Sequence, residues 1–280
     1  MSKKPVGKPV ARGEPRVRRA YFECRFGQLH VQNAIPPGGG FDEGTSLLCL
    51  HPTPLSGGVF AGLLRTMGHD RSVYAPDLPG YGESDAPPAA PTIADYAGAL
   101  GDFLDAMRFR QIDVLGSHTG AAIAAELAVG RPQQVRRVVL AGVPLFTASE
   151  RDAVARSTAS LPHGDDDGRL LAEWHRSVEW GRPDMPFAVV VQQFAQKLLA
   201  GPRAGWGIAA ALQYPLRERL SLVRQPLLVL RVRDASPDTS LRVREVLPAA
   251  RFADPPEGQV RGLFDADPRA ALGAVQEFLA

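Results

Sequence analysis

The chain has 280 residues, 45% apolar and 22% charged, with a formal net charge of +2, which suits one large α/β domain with an insertion, or two small domains, around a sizeable core. The positive excess sits in the first nineteen residues, where Lys3, Lys4, Lys8, Arg12, Arg16, Arg18 and Arg19 face only Glu14. Without them the balance turns slightly acidic, which argues against a nucleic-acid partner. No apolar window is long enough to cross a bilayer, and the basic start lacks the apolar stretch of a secretory signal. The expectation is a cytoplasmic protein with no membrane partner. Cys24 and Cys49 fall in strand-like runs and read as buried free thiols. No His/Cys spacing suits a metal, so none is expected.

Residues 1–16, rich in Lys, Arg, Pro and Gly, read as a disordered basic tail. Arg18 to Cys24 and Gln28 to Ala34 read as strands joined at Gly27, and Pro36 to Gly40 as a loop. Thr45 to Leu50 is a continuous apolar run, the mark of a strand buried on both faces. Gly58 to Met67 suggests a short helix, and Arg71 to Ala75 the next strand. Thr92 to Phe109 reads as an amphipathic helix. Thr92 and Asp95 are placed for a capping box, and Tyr96, Leu100, Phe103, Leu104 and Met107 share one face. Gln111 to Leu115 is a strand, and Thr119 to Val129 a helix of small residues stopped by Gly130 and Pro132. Val135 to Leu140, Leu227 to Val232 and Arg251 to Ala253 complete the strands. Asp267-Pro268 starts a final helix.

Strands alternating with helices imply a mostly parallel sheet covered on both faces. The alternation breaks at residues 148–222, where helical runs such as Leu170 to Val178 and Ala188 to Ala200 accompany all three tryptophans. The expected organisation is an α/β core at 17–147 and 223–280 with a helical cap at 148–222. No internal repeat is present.

Three stretches carry chemistry: Leu50-His51-Pro52-Thr53-Pro54-Leu55-Ser56-Gly57; Ala75-Pro76-Asp77-Leu78-Pro79-Gly80-Tyr81-Gly82-Glu83-Ser84-Asp85; and Asp113-Val114-Leu115-Gly116-Ser117-His118-Thr119-Gly120-Ala121. In order and spacing they resemble the oxyanion loop, the Pro-Gly-x-Gly-x-Ser loop and the nucleophile elbow of the α/β-hydrolase superfamily. The likeness runs from Val17 to the end. It is strongest toward cap-bearing members such as small-molecule esterases, epoxide hydrolases and haloperoxidase-like proteins. It implies an α/β fold: a mostly parallel sheet flanked by helices, with the cap inserted over it. Fold alone does not settle function.

An elbow projects one residue above the sheet on a strained strand-to-helix turn, with glycines allowing close approach. Gly116 and Gly120 set the register so that His118 projects, where the family has serine. Ser117 is the alternative, but that register would need small residues at Leu115 and Thr119. In the family the order is nucleophile, acid, histidine. The histidines are His30, His51, His69, His118, His163 and His175, and none follows His175. The resemblance puts Arg261, before Gly262-Leu263-Phe264, at the base position, and arginine cannot accept a proton from serine. It puts the acid near Ala235, between Asp234 and Asp238. A conventional Ser-acid-His relay is not intact.

Imidazole titrates near neutrality, so His118 suits general acid–base work, or nucleophilic attack. Two uses of the aspartate stay open: pairing with His118, or the preferred ion pair with Arg261. The resemblance gives the Thr53 and Thr119 amides the oxyanion role and His51 a bracing one. Trp174, Trp180, Trp206 and Tyr214, with Ser117 and Arg261, are the candidate substrate-binding residues. His30, Asp77 and Glu83 read as structural, and His163 with Asp165-Asp166-Asp167 as a solvated loop. The leading expectation is a cofactor-independent enzyme on a small, largely apolar molecule, hydrolase by family. Proton transfer, elimination, cyclisation or isomerisation fits as well as hydrolysis. The other expectation is a catalytically silent small-molecule-binding protein. A homodimer is left open.

Overall fold

The continuous apolar runs become the centre of a sheet because such strands must be covered on both faces. In the computed structural model the described residues are 13–39, 44–158, 167–183, 185–232, 239–254, 262, 264 and 268–280. The strands are β1 (Arg16–Cys24), β2 (Gly27–Ile35), β3 (Gly44–Leu50), β4 (Arg71–Pro76), β5 (Ile112–Ser117), β6 (Val135–Ala141), β7 (Leu227–Leu230) and β8 (Arg251–Ala253). They form one 8-stranded sheet in the order β1-β2-β4-β3-β5-β6-β7-β8. β2 pairs antiparallel with β1 and β4, and the other pairs are parallel. The fold class is therefore α/β, a mostly parallel sheet flanked by helices.

One face of the sheet packs against α2 (Ile93–Ala106) and α3 (Thr119–Gly130). Tyr96, Leu100, Phe103 and Leu104 are all fully buried there. Residues 121–125 of α3 are also 0% exposed, four of them alanines, so the helix axis lies close to the strands. The other face packs against α1 (Ala61–Met67) and α10 (Arg269–Leu279). The capping box of α2 forms: Thr92 Oγ1 accepts from the Asp95 N–H at 3.2 Å, and Asp95 Oδ2 accepts from the Thr92 N–H at 2.9 Å.

The boundaries differ from expectation in several places: β5 runs Ile112–Ser117 rather than Gln111 to Leu115, and the helix expected from Gly58 begins at Ala61 after a 3-10 turn at Gly57–Phe60. β1 already begins at Arg16, because register pairs Arg16 with Ile35; of the basic tail, residues 1–12 lie outside the described residues. α2 stops at Ala106, and Arg108 adopts a left-handed φ of 55° that ends the helix. β7 ends at Leu230 rather than Val232. α10 starts after Pro268 with no side-chain cap.

Between β6 and β7 the chain runs through α4 (Ala148–Thr158), α5 (Asp167–Gly181), α6 (Phe187–Ala200), α7 (Trp206–Gln213) and α8 (Leu216–Leu220). Charged clamps hold these helices. Glu150 takes two hydrogen bonds from Arg242, at 2.6 and 2.8 Å, which hold its carboxyl down at about 2. Glu126 of α3 accepts from Arg219 at 2.8 Å and from the Tyr214 hydroxyl. Within the insertion, Glu173 of α5 meets Lys197 of α6 at 2.6 Å and Arg176 at 2.8 Å.

Candidate functional site

β5 ends at Ser117 and α3 begins at Thr119, so the chain reverses over one residue. That residue is His118, at φ 50° and ψ −111°. A non-glycine residue at positive φ is strained by about 1–3 kcal/mol and persists where its surroundings enforce it. Here the His118 N–H donates to Ala141 O at 2.9 Å, and His118 O accepts from the Ala121 N–H at 2.9 Å. The glycines on either side are required by contact. A Cβ on Gly116 would lie 2.1 Å from Gly120 O, and one on Gly120 2.1 Å from Leu50 O. Ser117 belongs to the strand, paired with Ala141, and is buried.

The His118 ring lies over Gly142, which follows β6 with φ +61°. A Cβ at Gly142 would meet ring atoms Cε1, Nδ1 and Nε2 at 2.6, 2.8 and 2.9 Å. Only glycine leaves room for the imidazole and adopts that backbone without strain.

The loop after β3 is held from below. His51 is fully buried, and its Nε2 accepts the Leu78 N–H at 2.8 Å. Nδ1 then carries the proton and donates to Pro52 O at 3.0 Å. Burial pulls the His51 pKa down, which keeps the ring neutral. Asp77 ties the neighbouring loops. Its Oδ1 accepts from the Gly57 N–H at 2.7 Å, and its Oδ2 from His30 Nδ1 at 2.8 Å and the Glu83 N–H at 2.9 Å. Burial works against this carboxylate's charge, but those hydrogen bonds leave its pKa below the ordinary value. Above the loop, the Thr53 and Thr119 hydroxyls are 2.9 Å apart and buried. Thr119 is the first helical residue, whose N–H has no partner within the helix. Tyr81, nearly fully buried, accepts the Gly207 N–H at 2.8 Å and donates to Arg203 O at 3.1 Å, docking the start of α7 over the loop.

A cavity of about 260 Å³ opens between these parts and the inserted helices. His118, Thr53 and Thr119 line it on the sheet side, and Phe146, Val154 and Trp180 line it opposite. Of the four aromatic residues proposed for substrate binding, Trp180 alone lines this cavity. Trp174 packs on Phe187 and Phe194 at ring distances of 6.0 and 5.0 Å, inside the α5–α6 pair. Trp206 and Tyr214 line a separate cleft of about 350 Å³ beside Ile93. The Tyr214 hydroxyl is turned to Glu126, donating to a part-buried carboxylate that Arg219 also holds. Asp234, Asp238, Arg261, His163, Asp165 and Asp166 lie outside the described residues. Among the described residues no group of three or more His, Cys, Asp or Glu can hold a metal ion.

Gly142, Phe146 and Val154 were not singled out in the sequence. Gly142 sits at the carboxyl end of a parallel strand, where ligands bind in such sheets, and that position was its signal. Val154 lies on a helix with no fully buried residue and had none.

A family model described as alpha/beta hydrolase fold matches residues 45–170. Lipase LipV from Mycobacterium tuberculosis is 33% identical over 186 residues, which take in 65% of this chain and 67% of the lipase. The chain belongs to the α/β-hydrolase family. An uncharacterised M. tuberculosis protein is 29% identical over 129 residues, 46% of this chain and 37% of that protein, so this match spans little over a third of the relative. A bromoperoxidase structure from Bacillus anthracis matches with a TM-score of 0.76 over 94% of this chain and 99% of its own, at 16% identity, a likeness of fold. The parts that meet at the cavity come in part from the loops at the carboxyl ends of β3, β5 and β6, where ligands bind in open α/β sheets. Among the described residues no helix is long and apolar enough to cross a membrane.

Proposed function

We propose that this α/β hydrolase is an enzyme acting, without a cofactor, on a small and largely apolar molecule, with His118 as its acid–base centre. The observation that carries this reading is the placement of His118. It stands on a strained turn at φ 50°, its ring laid on Gly142, facing a cavity of about 260 Å³ with apolar opposite walls. Strain held in this way marks functional positions. The volume lies below the ~300–1,000 Å³ of pockets for drug-sized ligands, so the substrate is smaller than those.

In this reading the Thr53 and Thr119 amides stabilise an oxyanion or enolate, and the joined hydroxyls of the same residues keep the two loops in register. His118 takes or gives the proton. A serine relay would need its serine on the turn, and Ser117 lies within β5. That favours elimination, cyclisation or isomerisation alongside hydrolysis, since each needs a proton moved and a negative oxygen stabilised.

The test compares the parent with His118→Ala on a substrate found by screening small esters, hydroxyketones and lactones. The expected result is turnover lost by about 100-fold or more with binding retained. Equal turnover in the variant would refute the role of His118. Binding without turnover in the parent would favour the silent-receptor reading. A fluorophosphonate probe that labels Ser117 would instead restore serine chemistry.

A further inference from the structure

The cavity at His118 adjoins a larger space. A second cleft, of about 530 Å³, opens between the loop after β6, the end of α7 and the start of α8. Cavity and cleft share three lining residues, Pro144, Phe146 and Ala211. They also share their side walls. On α4, Arg151 lines the cleft and Val154 the cavity; on α7, Ile208 lines the cavity, Ala211 both, and Leu212 the cleft. Residues three and four apart lie on one face of a helix. The same faces of α4 and α7 therefore bound both spaces, which are successive stretches of one groove. Arg151 Nη1 joins the two helices by donating to Leu212 O at 3.0 Å.

Of the three shared residues only Phe146 has a side chain that rotates, since proline is a closed ring and alanine carries a single methyl. The backbone around it is pinned. Val143 is tied to the turn Thr239–Arg242: its N–H donates to Ser240 Oγ at 3.0 Å and its O accepts from Thr239 Oγ1. Leu145 O accepts from Arg242 Nη1 at 2.7 Å, and the Thr147 N–H donates to Glu150 Oε2 at 2.7 Å. Phe146 is half-buried, so what changes the junction between cavity and cleft is its ring and not its main chain.

We propose that the Phe146 ring is the partition between cavity and cleft, and so fixes the length of the molecule accepted beside His118. This rests on the enzymatic reading of His118 and names its substrate class: neutral, short-chain carbonyl compounds that fit whole within the cavity. The carbonyl oxygen lies at the Thr53 and Thr119 amides, and a longer tail is refused because it meets the ring. Neutrality follows from the lining. Among the described residues that line the cavity none is Lys, Arg, Asp or Glu, and an unpaired charge buried there is costly. Beyond the ring the lining changes, and Arg151, Arg217, Glu218 and Arg242 face the cleft.

The experiment titrates the full chain calorimetrically with 2-alkanones of about four to about twelve carbons, where each methylene that is buried raises affinity about fourfold. For the parent the rise is expected to stop partway through the series. For Phe146→Ala it is expected to continue to longer chains, and for Phe146→Leu, which keeps an apolar side chain for packing, to stop in between. Removing the ring also frees room of its own, so a second change separates the two effects. Leu212 lines the cleft and not the cavity. Leu212→Trp in the Phe146→Ala background is expected to bring the stop back to shorter chains and to leave the affinity of the shortest ketones unchanged. A parent whose affinity rises to the end of the series, or that binds none of its members, would overturn the proposal. So would Phe146→Ala and Phe146→Leu proteins that stop where the parent does, or a gain in length that Leu212→Trp leaves untouched. The readout is binding, so a parent with the expected stop that turns over neither the ketones nor the matching esters upholds the partition and counts against the acid–base role of His118.

Discussion

Replacing Gly120 by alanine tests how closely the turn at His118 is built. The added methyl would sit 2.1 Å from Leu50 O, 2.6 Å from Leu50 C and 3.0 Å from His51 O. All three are backbone atoms and cannot swing aside. Ordinary carbon–oxygen contact needs about 3.3 Å, so the first turn of α3 would have to retreat by roughly 1 Å. Overpacking of this kind costs about 1–3 kcal/mol, and more where backbone must move. Alanine's better helix propensity returns only about 0.5–1 kcal/mol. Gly130, at the other end of the same helix, has nothing within 4 Å of such a methyl. Gly130→Ala should therefore stabilise by about 0.4–1 kcal/mol through the unfolded chain. Urea titrations followed by circular dichroism give both midpoints, and the two variants should move in opposite directions at similar slope. A Gly120→Ala protein as stable as its parent would refute the close approach of α3 to the loop after β3. So would a Gly130→Ala protein that loses as much stability as Gly120→Ala.

Three further outcomes are expected. Gly142→Ala puts a methyl within 2.9 Å of three His118 ring atoms; turnover should fall by about 100-fold from ring displacement, against a stability loss of only about 1–3 kcal/mol seen by thermal melting. His51 has a pKa lowered by burial, so the unfolded chain takes its proton first as pH falls. The brace therefore contributes fully above about 6.5 and is lost below it; urea midpoints from pH 8 to 5 should fall less steeply for His51→Gln than for the parent. Asp113 is fully buried and takes two hydrogen bonds from Arg136, at 2.9 and 2.7 Å, with Arg71 at 3.5 Å. Asp113→Asn should cost about 3–5 kcal/mol by leaving buried positive charge unpaired, read as a drop in melting temperature without a change in the shape of the cavity.

The eight strands, the capped helix α2 and the small-residue helix α3 were legible because each has a local cause. Apolar runs bounded by turn residues, the Thr92 and Asp95 pair, and a row of alanines after Gly120 act within a few residues of one another. The turn at His118 was legible for the same reason, since the glycines that shape it lie two residues away on each side. The aromatic residues of the inserted helices were not. Trp174, Trp206 and Tyr214 are chemically as suited to a pocket as Trp180, and the choice among them depends on which helix face meets the sheet. Clamps between distant residues set that: Glu150 with Arg242, Glu126 with Tyr214 and Arg219, and Glu173 with Lys197.

The amino-acid sequence by itself determined the family, the order of the elements and the residue placed on the strained turn, because periodicity, capping and the spacing of Gly116 and Gly120 about His118 are local. Tertiary structure alone decided that Gly142 from β6 carries the His118 ring, that the Thr53 and Thr119 hydroxyls meet, and that Phe146, Val154 and Trp180 close the cavity. Those partners come together only when separate strands and helices pack, and no spacing along the chain encodes a contact of that kind.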